Sequence, residues 1–438
     1  MPRLVRDRVT WITYAQLAIW AYFLYAFNPV VPLIRDEQHT SRAVASLHGT
    51  AFAVAGIVAA VTLPRLTRLL GRHRLVWTGL IGLCGSAVGF FFSHRLPLTL
   101  ACAALASFAG ALLVNGIVAG LSDHHGAAGP AAISEANAVA AGIGLVAPLV
   151  VGASVSVGLG WRPGLALMIV PVALLTFFLG VRLPEPAPVP MVDGLRPRAR
   201  PLPGRYWFAF VSLFTTGSAE VCLTLWLADV LRSHAHVSAG VATASVSTLV
   251  AGMATGRFAG GRLLQRYRPT HVLLAALAVA GAGFFVFWLA TVPWLAVCGL
   301  AICGLGVALH YPLGISLAVT HSDGQPDLAV ARASYALGAA FGLALFTLGS
   351  LADHIGPHTA FLLVPLFLLA SAVAVAMLDR AETSLPRAET SLPRASGPGK
   401  STASPERLRR KGRGKSTASP ERLRRKGPGT GTPDRLRR

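Results

Sequence analysis

The sequence predicts an all-α membrane protein whose twelve transmembrane helices form two pseudo-symmetric six-helix bundles. Three observations carry this: apolar runs of spanning length recur twelve times, basic residues gather in alternate loops, and a proline-rich basic segment divides the runs six and six. Of 438 residues, 53% are hydrophobic and only 13% are charged, against about 25% charged in soluble proteins. Mean hydropathy is +0.59. About twenty apolar residues at 1.5 Å each cross a hydrocarbon layer of about 30 Å. A soluble core accounts for one or two such runs, not for a dozen.

The runs cover residues 11–34, 46–64, 75–93, 97–121, 132–157 and 163–182, then 206–230, 238–261, 270–291, 293–319, 328–351 and 358–378. Short turns such as Ser93-His94-Arg95-Leu96-Pro97 and Thr291-Val292-Pro293 force antiparallel neighbours. With the N-terminus inside, 17 arginines fall in inner loops and 5 in outer loops. Arg257, Arg262, Arg266 and Arg268 are counted among the inner set. That bias obeys the positive-inside rule and gives an even number of spans, with both termini on the cytoplasmic side of a cytoplasmic (inner) membrane.

The expected organisation is a bundle over 1–183, a Pro/Arg-rich linker over 184–205, a second bundle over 206–378 and a basic repeat tail over 379–438. The linker reads Pro-Glu-Pro-Ala-Pro-Val-Pro and then Leu-Arg-Pro-Arg-Ala-Arg-Pro, without apolar periodicity. The tail repeats Ala-Glu-Thr-Ser-Leu-Pro-Arg at 381–387 and 388–394, and a fourteen-residue basic segment at 399–412 and 414–427. Low-complexity composition of this kind predicts disorder.

The net charge of +21 is a weaker sign of nucleic-acid binding than it looks. From Asp379 onward, 17 basic and 6 acidic residues give +11 in the tail alone. The tail repeats have no aromatic side chain on which a base could stack. Attraction to anionic lipid heads, about 1 kcal/mol per basic residue near the surface, is the simpler expectation. The five cysteines lie in apolar runs and show neither metal nor disulfide spacing. The run from Trp11 to Ile34 is too long for a signal-peptide core and lacks a small-residue cleavage site. Catalytic clusters are missing, and Gly399-Lys400-Ser401 is only the end of a phosphate-binding loop pattern, so an ATP-driven pump is excluded. His124-His125 lacks the rest of a metal site. The expectation is therefore no enzyme activity, no cofactor, no metal and no nucleic-acid partner.

A charge at mid-helix in hydrocarbon costs about 2.5–3.5 kcal/mol on insertion scales. Glu220, two residues from the midpoint of 206–230, is the clearest such charge. Ser212, Thr216, Glu220 and Thr224 recur every four residues and predict one polar face. Asn28 beside Pro29, Asn115, Trp226, and His310-Tyr311-Pro312 in the tenth run complete the cavity candidates. Solute sites in carriers lie near the midplane, often beside broken helices. Glu135 is expected to be solvated near the inner surface, and Asp229, Asp353 and His354 to be caps or loop residues near the outer one. Gly252, Gly256 and Gly260, with Gly85/Gly89 and Gly338/Gly342, form small-xxx-small ridges that favour close helix packing.

Two halves of six spans, a basic linker and both ends inside resemble the major facilitator superfamily. After span two that family carries Gly-x-Leu-Ala-Asp-Arg-x-Gly-Arg-Arg. Here the stretch runs from Pro64 to Arg74, with Gly71 and Arg72 matching, Arg74 following, and Pro64 and Arg68 in place of the glycine and aspartate. The equivalent place after span eight has Gly256-Arg257 and Gly261-Arg262, again without the aspartate. The resemblance implies a latch on the inner side, which differs here or is weaker. Gly144, Pro148 and Gly152 in span five are similar to the Gly-Pro-x-x-Gly-Gly pattern of proton-linked exporters, with Ala147 and Val151 replacing two glycines.

The resemblance implies a monomeric secondary transporter of a small molecule working by alternating access, proton-coupled and acting as an efflux antiporter for an amphipathic compound. A proton-coupled symporter importing a nutrient fits the same residues. A non-transporting polytopic sensor is the reading from another class, and the symmetry of the halves argues against it.

Overall fold

The computed structural model describes residues 4–179, 201–264 and 266–383, all of them in helices and connecting turns. Helix α1 is Arg8–Gln38, and it is followed by the 51-residue Arg42–Phe92. The latter is two spans joined without a loop, because Gly71 at φ 73° and ψ 162° breaks the helical path. Only glycine adopts that conformation without strain. We number the parts α2 (42–70) and α3 (72–92). Then come α4 (Leu96–His125), α5 (Gly129–Ser156), and α6, made of Trp161–Ala166 and Ile169–Leu179. The second half has α7 (Gly204–His234), α8 (Ala239–Leu263) and α9 (Pro269–Leu289). Helix α10 is broken between Pro293–Val307 and His310–Thr320. Helix α11 runs through Pro326–Ala339, a π-turn at Ala340–Ala344 and Leu345–Ile355. Helix α12 comprises Pro357–Ala360 and Leu363–Thr383.

Among the described residues ten helices are long and apolar enough to cross a membrane, and Trp161–Phe177 is a shorter apolar one. With Arg42–Phe92 counted as two and the shorter helix as one, the spans number twelve. The interruption expected at His310 occurs just before it, whereas α1 continues without a break past Asn28 and both Pro29 and Pro32. Two expected boundaries move. Gly204 and Arg205 belong to α7 rather than to the linker, and Arg205 pairs with Asp323 at 2.6 Å. Residues 379–383 belong to α12 rather than to the tail, and Asp379 pairs with Arg268 at 3.1 Å. The rest of the linker up to residue 200 and the tail from residue 384 lie outside the described residues.

Helix α1 starts at Asp7, whose carboxylate accepts from the Thr10 amide at 2.9 Å. Burial alone would raise the Asp7 pKa, but hydrogen bonds from Thr10 and from His124 pull it down to about 2. The termini of α1 and α12 share one face of the bundle, called the terminal face below; the opposite one is the distal face.

The halves α1–α6 and α7–α12 meet along two seams. In the α5/α8 seam, a Cβ on Gly152 would lie 2.5 Å from the Gly240 carbonyl oxygen, so backbone packs on backbone. Ser247 Oγ donates to the Leu145 carbonyl at 2.8 Å across the same seam. In the α2/α11 seam, Thr50 Oγ1 donates to the Gly342 carbonyl at 3.1 Å, within the π-turn. A π-turn shifts the backbone register and frees carbonyls for such outside donors.

The glycine ridge of α8 packs as expected. A Cβ on Gly252 would press into the Ala301 carbonyl oxygen of α10, and one on Gly256 would approach the Leu305 carbonyl oxygen to 2.5 Å. Gly252→Val is therefore expected to destabilise the fold by about 1–3 kcal/mol through overpacking. A lowered melting temperature of the purified protein in detergent would register this; an unchanged one would contradict the packing.

Candidate functional site

Glu220 is the seventeenth residue of the thirty-one in α7 and thus sits at its middle. It is half-buried. Tyr25 of α1 and Tyr311 of α10 lie within its electrostatic reach. So does the Arg257 guanidinium of α8, which is also within hydrogen-bonding reach of the Tyr25 hydroxyl. Among the described residues Glu220 and Arg257 attract each other without a direct ion pair. The cluster joins both halves, because Tyr25 comes from the first and the other three from the second.

Local sequence explains each position. Tyr25 packs its ring on Gly144 of α5, where a Cβ would meet Tyr25 Cδ2 at 2.5 Å. Any side chain at 144 would push the phenol out of place. Pro148 is buried inside α5, and Gly152 forms the seam with α8. The span-five motif therefore serves packing and places Tyr25. Tyr311 is the second residue after the break in α10 and is 47% exposed, although it lies deep in the bundle.

Arg257 corrects the sequence expectation. It sits inside α8, six residues before that helix ends at Leu263, rather than in an inner loop with Gly256. The arginine bias between the two faces survives without it. The neighbouring positions Gly261 and Arg262 continue α8.

Other candidates go elsewhere. Trp226 is buried at the distal end of α7, under the Arg35 guanidinium at 5.9 Å. His310 is buried against α9 near Ala276. Asn115 is exposed and donates to the Ala111 carbonyl of its own helix at 2.8 Å. Asn28 is buried in α1. The predicted hydroxyl stripe is mostly turned back on its helix: Thr216 donates to Ser212 O at 2.7 Å and Thr224 to Glu220 O at 3.0 Å. Ser212 instead meets Ser371 of α12 at 2.8 Å. Of the six named candidates, Glu220 and Tyr311 come together.

An aromatic wall borders the first half. Phe52 stacks on Trp20 at 6.1 Å, on Phe27 at 6.0 Å and, across the halves, on Phe341 at 5.9 Å.

The distal face carries a latch that the sequence expectation missed. Asp229 is not a surface cap: its side chain is 4% exposed and takes Arg35 Nη1 at 2.9 Å and Arg42 Nε at 2.8 Å. Arg232 pairs with Asp36 at 2.6 Å. Asp353 accepts from the Arg42 and Ala43 amides at 2.9 Å each, so an α11 carboxylate holds the N-terminus of α2. Every one of these contacts joins one half to the other. A signal existed, because Asp36 and Arg232 are each the twenty-ninth residue of a thirty-one-residue helix, and their charges are opposite.

The terminal face differs. Its ion pairs among the described residues stay within a half: Arg6 with Glu135 at 2.6 Å, Arg205 with Asp323, Arg268 with Asp379, and Arg72 with Asp123. Arg72 of the loop motif thus finds its acid at the end of α4, in place of the aspartate missing from the motif. Gly71 supplies the turn, and Arg74 is exposed. Five free cysteines and no grouping of metal-binding side chains occur among the described residues.

The Major Facilitator Superfamily model matches residues 14–326 and 209–424. No curated protein sequence matches significantly. Among solved structures, a bacterial homolog of the human lysosomal transporter Spinster, inward-facing and occupied, superposes with TM-score 0.66 at 15% identity, covering 86% of this chain and 98% of its own. The E. coli xylose transporter XylE, in a partially occluded inward-open conformation, gives 0.66 at 11% identity, covering 86% and 97%. The nucleoside transporter NupG gives 0.71 at 12% identity, covering 84% and 98%. At such identities these likenesses speak for the fold. With two six-helix halves around a central polar cluster and the family's own pattern running through both, the chain belongs to the Major Facilitator Superfamily and is a multi-pass membrane transporter, not an enzyme.

Proposed function

We propose that this transporter drives efflux of an amphipathic small molecule across the cytoplasmic membrane, coupled to protons through Glu220, with its termini in the cytoplasm. The observation that carries the proposal is the carboxylate at mid-membrane, within electrostatic reach of Arg257, Tyr25 and Tyr311. A carboxylate in that setting has two stable partnerships. Ionised, it draws on the nearby Arg257 charge; protonated, it leaves Arg257 to Tyr25 or to a solute. Proton binding and solute binding are thereby alternatives at one place, which is the requirement for exchange. The aromatic wall of Trp20, Phe27, Phe52 and Phe341 offers flat apolar surface for the rest of the solute.

The closed distal latch and the confinement of terminal-face ion pairs within halves support a state in which the central cluster is reached from the terminal face. The arginine bias supports a cytoplasmic position for that face. Alternating access then follows from rocking the halves about the glycine seams. A symporter importing a hydroxyl-rich solute is the second reading, favoured by the same carboxylate, guanidinium and two phenols as hydrogen-bonding groups.

Purified full-length protein in proteoliposomes, offered a panel of amphipathic cations, sugars and nucleosides with and without a pH gradient, tests both. Proton-dependent extrusion of amphipathic compounds is expected. Gradient-driven accumulation of a hydrophilic solute alone would replace efflux by uptake.

A further inference from the structure

A second feature, unconnected with the central cluster, is a groove of about 670 Å³ on the outer surface of the first half, between α1, α5 and α6. Its walls are almost purely apolar, and several stand open: Ile143 is 41%, Val146 42% and Leu174 50% exposed. On α5 the groove residues Val139, Ile143, Val146 and Val150 recur at helical spacing. They occupy the side roughly opposite Gly152, which meets α8. The groove therefore opens away from the seam between halves, towards lipid.

The α1 wall says what lies in it. Ala15, Ile19 and Tyr22 line the groove, and at the helix period Arg8 and Trp11 fall on that same face of α1, towards the terminal end. Trp11 is 54% exposed, and Arg8 is exposed. Arg6 next to it is taken by Glu135, but Arg8 has no acidic partner among the described residues. From Arg8 to Tyr22 the axis runs roughly 21 Å at 1.5 Å per residue. One leaflet, as half of the 40–45 Å that include both headgroup layers, is about 20–22 Å deep. A cation and an indole at headgroup depth, above an apolar trough whose α1 wall runs about 10 Å from Ala15 to Tyr22 towards mid-membrane, match one chemistry.

We propose that this groove is a binding site for an anionic phospholipid of the surrounding bilayer. Its phosphate sits at Arg8, its glycerol region beside Trp11 and one acyl chain along Ala15, Ile19, Val146 and Leu174. Indole rings favour that depth because their apolar body and N–H donor each find a matching layer. The lipid wedges α6 against α1 and α5, and the site lies outside the path of the transported solute.

The test uses the full-length protein in lipid nanodiscs that contain a trace of phosphatidylglycerol or phosphatidylcholine with a photoactivatable diazirine near the end of one acyl chain. Labelled peptides are mapped by mass spectrometry. We expect labelling on α1, α5 and α6 groove residues, roughly fivefold stronger for phosphatidylglycerol. Arg8→Gln should remove that preference while leaving apolar labelling in place. Ile143→Trp, which fills the groove, should suppress labelling there by both lipids, with labelling elsewhere unchanged as the control for folding. Equal labelling by the two lipids, a preference that survives Arg8→Gln, or groove labelling indifferent to Ile143→Trp would overturn the proposal.

Discussion

Glu220→Gln is expected to abolish solute movement driven by a pH gradient, by at least tenfold in initial rate, while solute-for-solute exchange persists. Glutamine keeps the shape of the side chain and its hydrogen-bonding capacity, but it cannot take up or release a proton near neutral pH. It also removes the only negative charge within reach of Arg257 in the cluster, since Tyr25 and Tyr311 are neutral phenols. The guanidinium is then held by Tyr25 whatever the proton gradient does. Membrane insertion should not suffer, because a neutral amide is cheaper than a carboxylate at mid-helix. Proteoliposome flux with and without a pH gradient, compared with exchange at equal pH, separates coupling from binding. Gradient-driven flux that survives in Glu220→Gln would remove this residue from coupling.

The second large effect is expected at the distal latch. Asp229 is nearly sealed and receives two guanidinium groups, Arg35 and Arg42, whose side chains are themselves only 12% and 24% exposed. Asp229→Asn leaves Arg35 with Asp36 at 2.6 Å and Arg42 with Asp353 at 3.9 Å, and removes the carboxylate that lies between the two cations. Breaking one partner out of a buried ion pair costs about 3–5 kcal/mol where the remaining charge is left uncompensated, and the retained Asp36 and Asp353 reduce that cost here. The distal-closed state bears that cost, and a state with the halves separated at this face escapes much of it by rehydrating the arginines. Even about 1.4 kcal/mol of such a difference moves the conformational equilibrium tenfold. A cysteine at Tyr311, in a chain freed of its own five cysteines, should then react at least tenfold faster with an impermeant maleimide supplied from the distal side. Unchanged reactivity would show that the latch does not hold this face shut.

The spans were legible in the sequence because burial in lipid makes an apolar run conspicuous. Twelve apolar runs mark the spans because no soluble core needs so many, and Glu220 stands out because a lone carboxylate in such a run is costly. Tyr25 did not stand out, since an aromatic residue among Trp20, Phe23 and Phe27 reads as ordinary apolar content. Arg257 was masked differently. Its nearness to Arg262, Arg266 and Arg268 made it look like one more loop arginine, although α8 carries it towards Tyr25. The partnership between α1 and α8 is tertiary, and nothing local in either helix announces it. The latch was hidden by the same limit. Arg35, Arg42 and Asp229 at span ends resemble solvated charges until the halves are brought together. The loop motif illustrates the converse, because the acid absent near Arg72 is supplied by Asp123 from another helix.

The claim on which the rest depends is that the distal seam must open and close in each cycle. Gly342 of α11 and Ala53 of α2 lie in the distal half of their seam, where a Cβ on Gly342 would lie 3.8 Å from the Ala53 Cβ. In a chain with its own five cysteines replaced, Ala53→Cys with Gly342→Cys should form a disulfide under oxidation, as Cβ atoms about 3.5–4.5 Å apart allow. Flux in proteoliposomes is the measurement. Oxidation should arrest transport and reduction should restore it, with each single variant indifferent to both. Undiminished flux through the cross-linked protein would contradict alternating access at this seam.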